Sequence, residues 1–88
     1  MEFPFNEHIE DGYYIRTFSQ DVDEHHLVWH RDREDRIIIP LNENDWMIQM
    51  DNQLPELLNK EFFIPKGEYH RVIKGNGDLN LKIKKMED

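Results

Sequence analysis

No segment of this chain shows the 3.6-residue apolar period of an amphipathic helix. Short β-type runs broken by turn residues fill it instead, a punctuation that predicts an antiparallel sandwich or barrel. The run Tyr13-Tyr14-Ile15-Arg16-Thr17-Phe18 is rich in aromatic and β-branched residues. Further runs lie at 26–30, 37–39, 46–50, 61–64 and 69–73. Leu79-Asn80-Leu81-Lys82-Ile83-Lys84 alternates almost strictly, so one face is predicted buried and the other wet. In 46–50, Trp46, Ile48 and Met50 share a face and are predicted as core, with Met47 and Gln49 opposite. Seven or eight strands at roughly 8–12-residue spacing fit one all-β domain over residues 1–88, with 1–12 as an N-terminal extension. The connectors are turn material: Asn42-Glu43-Asn44-Asp45, Asp51-Asn52 and Lys74-Gly75-Asn76-Gly77-Asp78. Asn76-Gly77 predicts a hairpin. Residues 55–59 read as one helical turn or a loop.

The sharpest local signal is Ile64-Pro65-Lys66-Gly67-Glu68-Tyr69-His70. Proline fixes φ near −65° and glycine permits the φ > 0 of a tight reversal, so His70 re-enters a strand from a rigid corner. His30 ends the run His26-Leu27-Val28-Trp29-His30. Two histidines delivered by separate strands predict a metal or ligand site. If His30 faces inward, so does Val28, and Leu27 and Trp29 face out. An outer apolar pair calls for a cover, either Phe3-Pro4-Phe5 or a second copy of the chain, and a homodimer is expected.

The chain has 88 residues and no cysteine, so neither a disulfide nor a thiolate enters the argument. That usage fits a reducing compartment, and a cytoplasmic location is expected. A net charge of −8 argues against nucleic acid and anionic membranes as partners. Arg31, Arg33 and Arg36 are interleaved with Asp32, Glu34 and Asp35, and Lys82, Lys84 and Lys85 read as a solvated strand face. No apolar stretch approaches the ~20 residues of a membrane span. The first residues carry neither the basic nor the apolar region of a signal peptide.

With these residues in view, the chain resembles a small cupin over residues 26–84. The second cupin motif, G-x5-P-x-G-x2-H-x3-N, is matched at its centre by Pro65-Lys66-Gly67-Glu68-Tyr69-His70, with Asn59 and Lys74 at its outer positions. Against the first motif, H-x-H-x3,4-E-x6-G, the chain offers Val28, His30, Asp35 and Asn42. The run 29–36 and the later 70–75 are also similar to cupin-like proteins of marine phages and environmental sequences. The resemblance implies a jelly-roll barrel with a site inside it. It implies His30, Asp35 and His70 as ligands of a divalent metal (Fe, Mn, Ni or Zn), a facial triad with open positions. Val28 stands where a fourth ligand would be and cannot bind metal. Asp32 shares parity with His30 and could replace Asp35; His25 or His26 could supply an imidazole in another register.

Three functional readings stay open at this point. One is an enzyme oxidising or isomerising a small polar molecule at that metal. The second is a metal-free module that binds a small ligand with the same histidines, Arg36 or Arg71 forking onto an anionic group and Gln49 contributing a buried amide. The arginines could equally pair with rim carboxylates. The third is an interaction protein with a filled barrel. Nothing resembles a nucleophile elbow, a phosphate-binding glycine loop or a zinc-finger spacing.

Overall fold

The computed structural model describes residues 3–86 of the chain. In chain order its strands are β1 (Asn6–Glu10), β2 (Tyr13–Phe18), β3 (Asp35–Pro40), β4 (Met47–Met50), β5 (Glu56–Leu57), β6 (Phe62–Ile64), β7 (His70–Ile73) and β8 (Leu79–Met86), with one 3-10 turn at Glu24–His26. They form two antiparallel sheets, one of five strands ordered β1-β2-β8-β3-β6 and one of three ordered β5-β4-β7.

Alternation decides which side of each sheet is inside. Leu79, Leu81 and Ile83 of β8 are at most 2% exposed, and the residues between them reach solvent. Their register partners follow: Tyr14, Arg16 and Phe18 of β2 lie opposite Ile83, Leu81 and Leu79, and Ile38 of β3 lies opposite Ile83. The second sheet contributes Ile48, and Trp46 joins it from the residue before β4; both are buried. These side chains meet in one core between the sheets, with Leu58, Phe62 and Ile64. Trp46 is fully buried, as its parity predicts, and its Nε1–H donates to the Gly77 carbonyl at 3.1 Å, so its one polar atom is satisfied.

Four local expectations need correction. Residues 26–30 do not form a strand: the 3-10 turn, capped by Asp23, runs into irregular chain whose one ladder pairing with β7 is the His30–His70 bridge. Parity therefore fails there, and Leu27 packs inward against the core rather than facing out. Residues 55–59 are neither helical turn nor plain loop, because Glu56–Leu57 adds a short strand to β4. Asn76-Gly77 turns the chain, with Gly77 at φ 72°, but it joins strands of different sheets and is not a hairpin. Finally, the segment read as an extension holds edge strand β1, closed onto β2 by Asp11 and Gly12 at φ 51° and 81°. Two positive φ values at Asp-Gly are the signature of a type I′ hairpin turn. The first two residues of that segment lie outside the described residues.

Candidate metal centre

The Pro65–Gly67 corner forms as its sequence predicts. Gly67 sits at φ 79° and the Glu68 N–H donates to the Pro65 carbonyl at 3.2 Å. Residues 32 and 35 then clamp it from the facing loop. The Gly67 N–H donates to the Asp32 carbonyl at 2.9 Å, and the Lys66 N–H to Asp35 Oδ1 at 2.8 Å. Just beyond, His30 and His70 exchange both backbone hydrogen bonds, at 2.9 and 3.0 Å. Their rings therefore face the same way, 4.3 Å apart at 57°.

Each imidazole is fixed by its own backbone. His30 Nδ1 lies 3.0 Å from the Val28 carbonyl and His70 Nδ1 lies 2.9 Å from the Glu68 carbonyl. A carbonyl only accepts, so each Nδ1 carries a proton, and in the neutral ring each Nε2 keeps its lone pair for a ligand. This is how metal-binding histidines are commonly oriented.

Asp32 completes the group, and ligand atoms of His30, Asp32 and His70 all lie within 4.8 Å of one another. Asp32 Oδ2 is buried with no hydrogen-bond partner among the described residues. It lies 3.3 Å from His70 Nε2 and 3.5 Å from Arg36 Nε. A lone pair on His70 Nε2 facing a carboxylate oxygen is repulsive unless positive charge lies between them. A proton on Nε2 or a metal ion would supply it.

Electrostatics around the group are asymmetric. Burial favours the neutral form of Asp32, but His70 and Arg36 outweigh it and hold its pKa below the ordinary value. Loss of water around the His30 ring lowers its pKa, with His70 adding to the effect and the Val28 carbonyl only partly offsetting it. Both shifts favour the ligating forms, carboxylate and neutral imidazole.

The structure thus brings His30 and His70 together as expected but pairs them with Asp32. Asp35 is spent on the corner, whereas Asp32, two residues beyond His30, lies on the same side of the chain as that ring, as its parity allows. Arg36 does line the interior, bonded to Glu34 at 2.7 Å and close to Asp32. Gln49 and Arg71 do not, since they alternate with the inward Ile48 and Met50, His70 and Val72. On the outer face Arg71 donates twice to Gln49 Oε1, at 2.8 and 3.0 Å, and its guanidinium lies 4.9 Å from the Trp29 ring centre. His25 pairs with Asp23 on the 3-10 turn. His26 borders the interior but is not one of the three grouped ligands.

The group opens into a cavity of about 380 Å³ between the sheets. Arg16 lines it and is bonded to Glu7 at 2.6 Å. The sequence reading missed Arg16, although an arginine on the Tyr14–Phe18 core face was a visible signal. Phe5 seats on that guanidinium at 3.8 Å and packs on Phe18, so Phe3-Pro4-Phe5 closes part of the cavity rather than an outer face.

No protein-family model and no curated protein sequence matches the chain. Solved structures do. The chain is similar to DMSP lyase DddQ from Ruegeria pomeroyi DSS-3, with a TM-score of 0.72 at 15% identity over 86% of this chain. It spans only 38% of that lyase's length. A cupin-2 domain protein from Shewanella frigidimarina gives a TM-score of 0.60 at 16% identity, covering 94% of this chain and 79% of its own. A cupin domain from Bordetella pertussis gives 0.60 at 14%, covering 99% of both chains. The fold is that of a small cupin jelly roll, and its interior holds a His-Asp-His group fit for a metal.

Proposed function

We propose that this protein holds a divalent metal inside its barrel and there binds, and acts on, a small polar molecule. His30, His70 and Asp32 would be the ligands, and Fe, Mn, Ni and Zn are the candidate ions. The observation that carries this reading is the orphaned Asp32 Oδ2 facing two imidazoles whose Nδ1 atoms are already committed to carbonyls. Bound there, the ion would serve as a Lewis acid or oxygen activator for oxidation or isomerisation. The chain's own part is to hold Nε2 of both histidines toward one point and to keep Asp32 ionised. Apolar side chains of the core, Ile48, Ile64, Leu81 and Ile83, back the group on its inner side. The ion pairs of Arg16 and Arg36 keep two guanidiniums inside without unpaired charge.

Untagged protein titrated with each of the four ions, and analysed for metal content, tests this. One ion per chain in the wild type, lost in His70→Ala, supports the reading; no uptake of any ion sinks it.

A metal-free binding module has one observation in its favour. Arg36 at 3.5 Å and a protonated His70 at 3.3 Å could balance Asp32 by themselves. The same titration separates the two readings. We further propose a homodimer and a cytoplasmic setting. Phe63 and Leu57, 54% and 46% exposed on strands at or near sheet edges, offer apolar surface for a second copy. Light scattering tests the dimer: a monomer mass for the wild type removes it, and Phe63→Glu should halve a dimer mass. Among the described residues no helix is long and apolar enough to cross a membrane.

A further inference from the structure

The cavity is two-natured. One end carries the His30, Asp32 and His70 group with Arg36 beside it, and Arg16 projects from β2. Apart from His26, the remaining wall is carbon. Its floor is Ile48, Ile64, Leu81 and Ile83, each at most 2% exposed. Where it meets solvent, Phe3 and Val28 line it while 71% and 59% exposed. Apolar side chains held open at the mouth of a cavity are surface awaiting a ligand. A volume of about 380 Å³ suits a small molecule. A polyol would lose water along these walls without finding hydrogen-bond partners.

Charge narrows the class further. The guanidiniums of Arg16 and Arg36 are set against the carboxylates of Glu7, Glu34 and Asp32, two positive charges against three negative, a balance of −1. Imidazoles that ligate an ion through a ring lone pair add no charge. A divalent ion on the three ligands turns the balance to +1. In a site walled by hydrocarbon such a charge is strongly felt, and one negative charge neutralises it. A neutral ligand leaves it uncompensated, and a dianion overshoots.

We propose that the metal-loaded cavity selects a small monocarboxylate with an apolar body, its carboxylate toward the metal and Arg36, its hydrocarbon against the isoleucine floor and the Phe3–Phe5 mouth. This rests on the metal reading above and adds the ligand class to it.

The experiment is calorimetric titration of the full chain, loaded with whichever of the four ions binds at one per chain. The probes are hexanoate, hexanamide, adipate and acetate. Hexanoate should bind about tenfold or more tighter than hexanamide and than adipate. Acetate, which lacks four methylenes, should bind about a hundredfold more weakly. Glu34→Gln removes one negative charge from the balance and leaves the metal ligands intact, so adipate should gain on hexanoate by about tenfold in that variant. Hexanamide matching hexanoate, acetate matching hexanoate, or an unchanged ranking in Glu34→Gln would each overturn the proposal. One ion per chain without these preferences overturns the ligand class and leaves the metal reading standing. No ion uptake removes both.

Discussion

Asp32 Oδ2 faces His70 Nε2 at 3.3 Å, while Asp35 Oδ1 takes the Lys66 N–H at 2.8 Å. The two carboxylates should therefore separate under mutation. Asp32→Asn keeps the shape and removes the charge. Metal affinity should fall by more than the about 10–100-fold typical of losing a supporting residue, with little change in folding. Asp35→Ala should do the reverse, lowering stability by about 1–2 kcal/mol through the loosened corner and leaving metal affinity near wild type. Metal titration and urea unfolding of both variants read the two effects; equal metal affinities in the two would refute the assignment. A pH effect belongs to the same residues. Burial first, then His70, holds His30 below its ordinary pKa. The unfolded chain then takes up that proton at higher pH than the folded one. Stability should fall as pH drops below the ordinary histidine value of about 6.5, until the folded site protonates as well. Urea melts across that range should show a shallower slope for His30→Gln, and an identical slope would count against a neutral His30 in the folded site. The histidines themselves were legible in the sequence because a Pro-Gly corner and a motif marked them. The carboxylate was legible only in part: parity with His30 marked Asp32 as the alternative, but the motif pointed to Asp35, and nothing in a run of alternating charges shows that the Lys66 N–H would take Asp35.

The irregular segment around His30 touches β7 through one residue pair, flanked outside by two cation–π contacts: Arg71 on Trp29 at 4.9 Å and Arg31 on Tyr69 at 5.4 Å. Gln49 anchors Arg71 from β4. These contacts hold the His30 loop against the His70 strand, so Trp29→Ala should weaken metal binding although Trp29 touches no ligand atom. The cost in stability should be about 0.5–1 kcal/mol, with metal affinity partly rescued in Trp29→Phe. If metal titration shows all three proteins alike, the clamp has no role at the site. A second element-scale prediction concerns the β7–β8 connection. A Cβ on Gly75 would lie 2.7 Å from the Trp46 backbone nitrogen, and Asp45 Oδ1 takes the Asn76 N–H at 2.6 Å. Gly75→Ala should cost about 1–3 kcal/mol, measured by urea unfolding, because the turn must move away from the buried Trp46. Elements with clean alternation, β8 and β4 above all, were readable because one side of each is pressed into a core. Residues 26–30 misled because a short apolar run beside a capped turn looks like a strand until pairing partners are counted. Asn76-Gly77 misled because turn chemistry fixes a reversal but not which sheet the chain enters next.

At the scale of the whole molecule, 88 residues bury one modest core, and a chain of net charge −8 with no disulfide opposes its own compaction. The proposed ion would join His70, in the three-stranded sheet, to the loop that carries His30 and Asp32 into β3 of the five-stranded sheet. It would act as a staple across a junction that otherwise rests on the His30–His70 backbone pair and on side-chain packing. An ion at about 100 times its dissociation constant adds about 2.7 kcal/mol to a folded state that alone binds it. For a domain of this length each kcal/mol moves the melting temperature by about 4–8 °C, so saturation should raise it by about 10–20 °C. Sodium chloride should also stabilise the chain by screening its negative charge, and that rise should be the same in wild type and His70→Ala. The metal-dependent rise should vanish in His70→Ala and reverse on chelation in the wild type. A variant that melts higher with metal as the wild type does would place the ion elsewhere on the acidic surface, and the barrel would then be holding its two imidazoles for a proton instead.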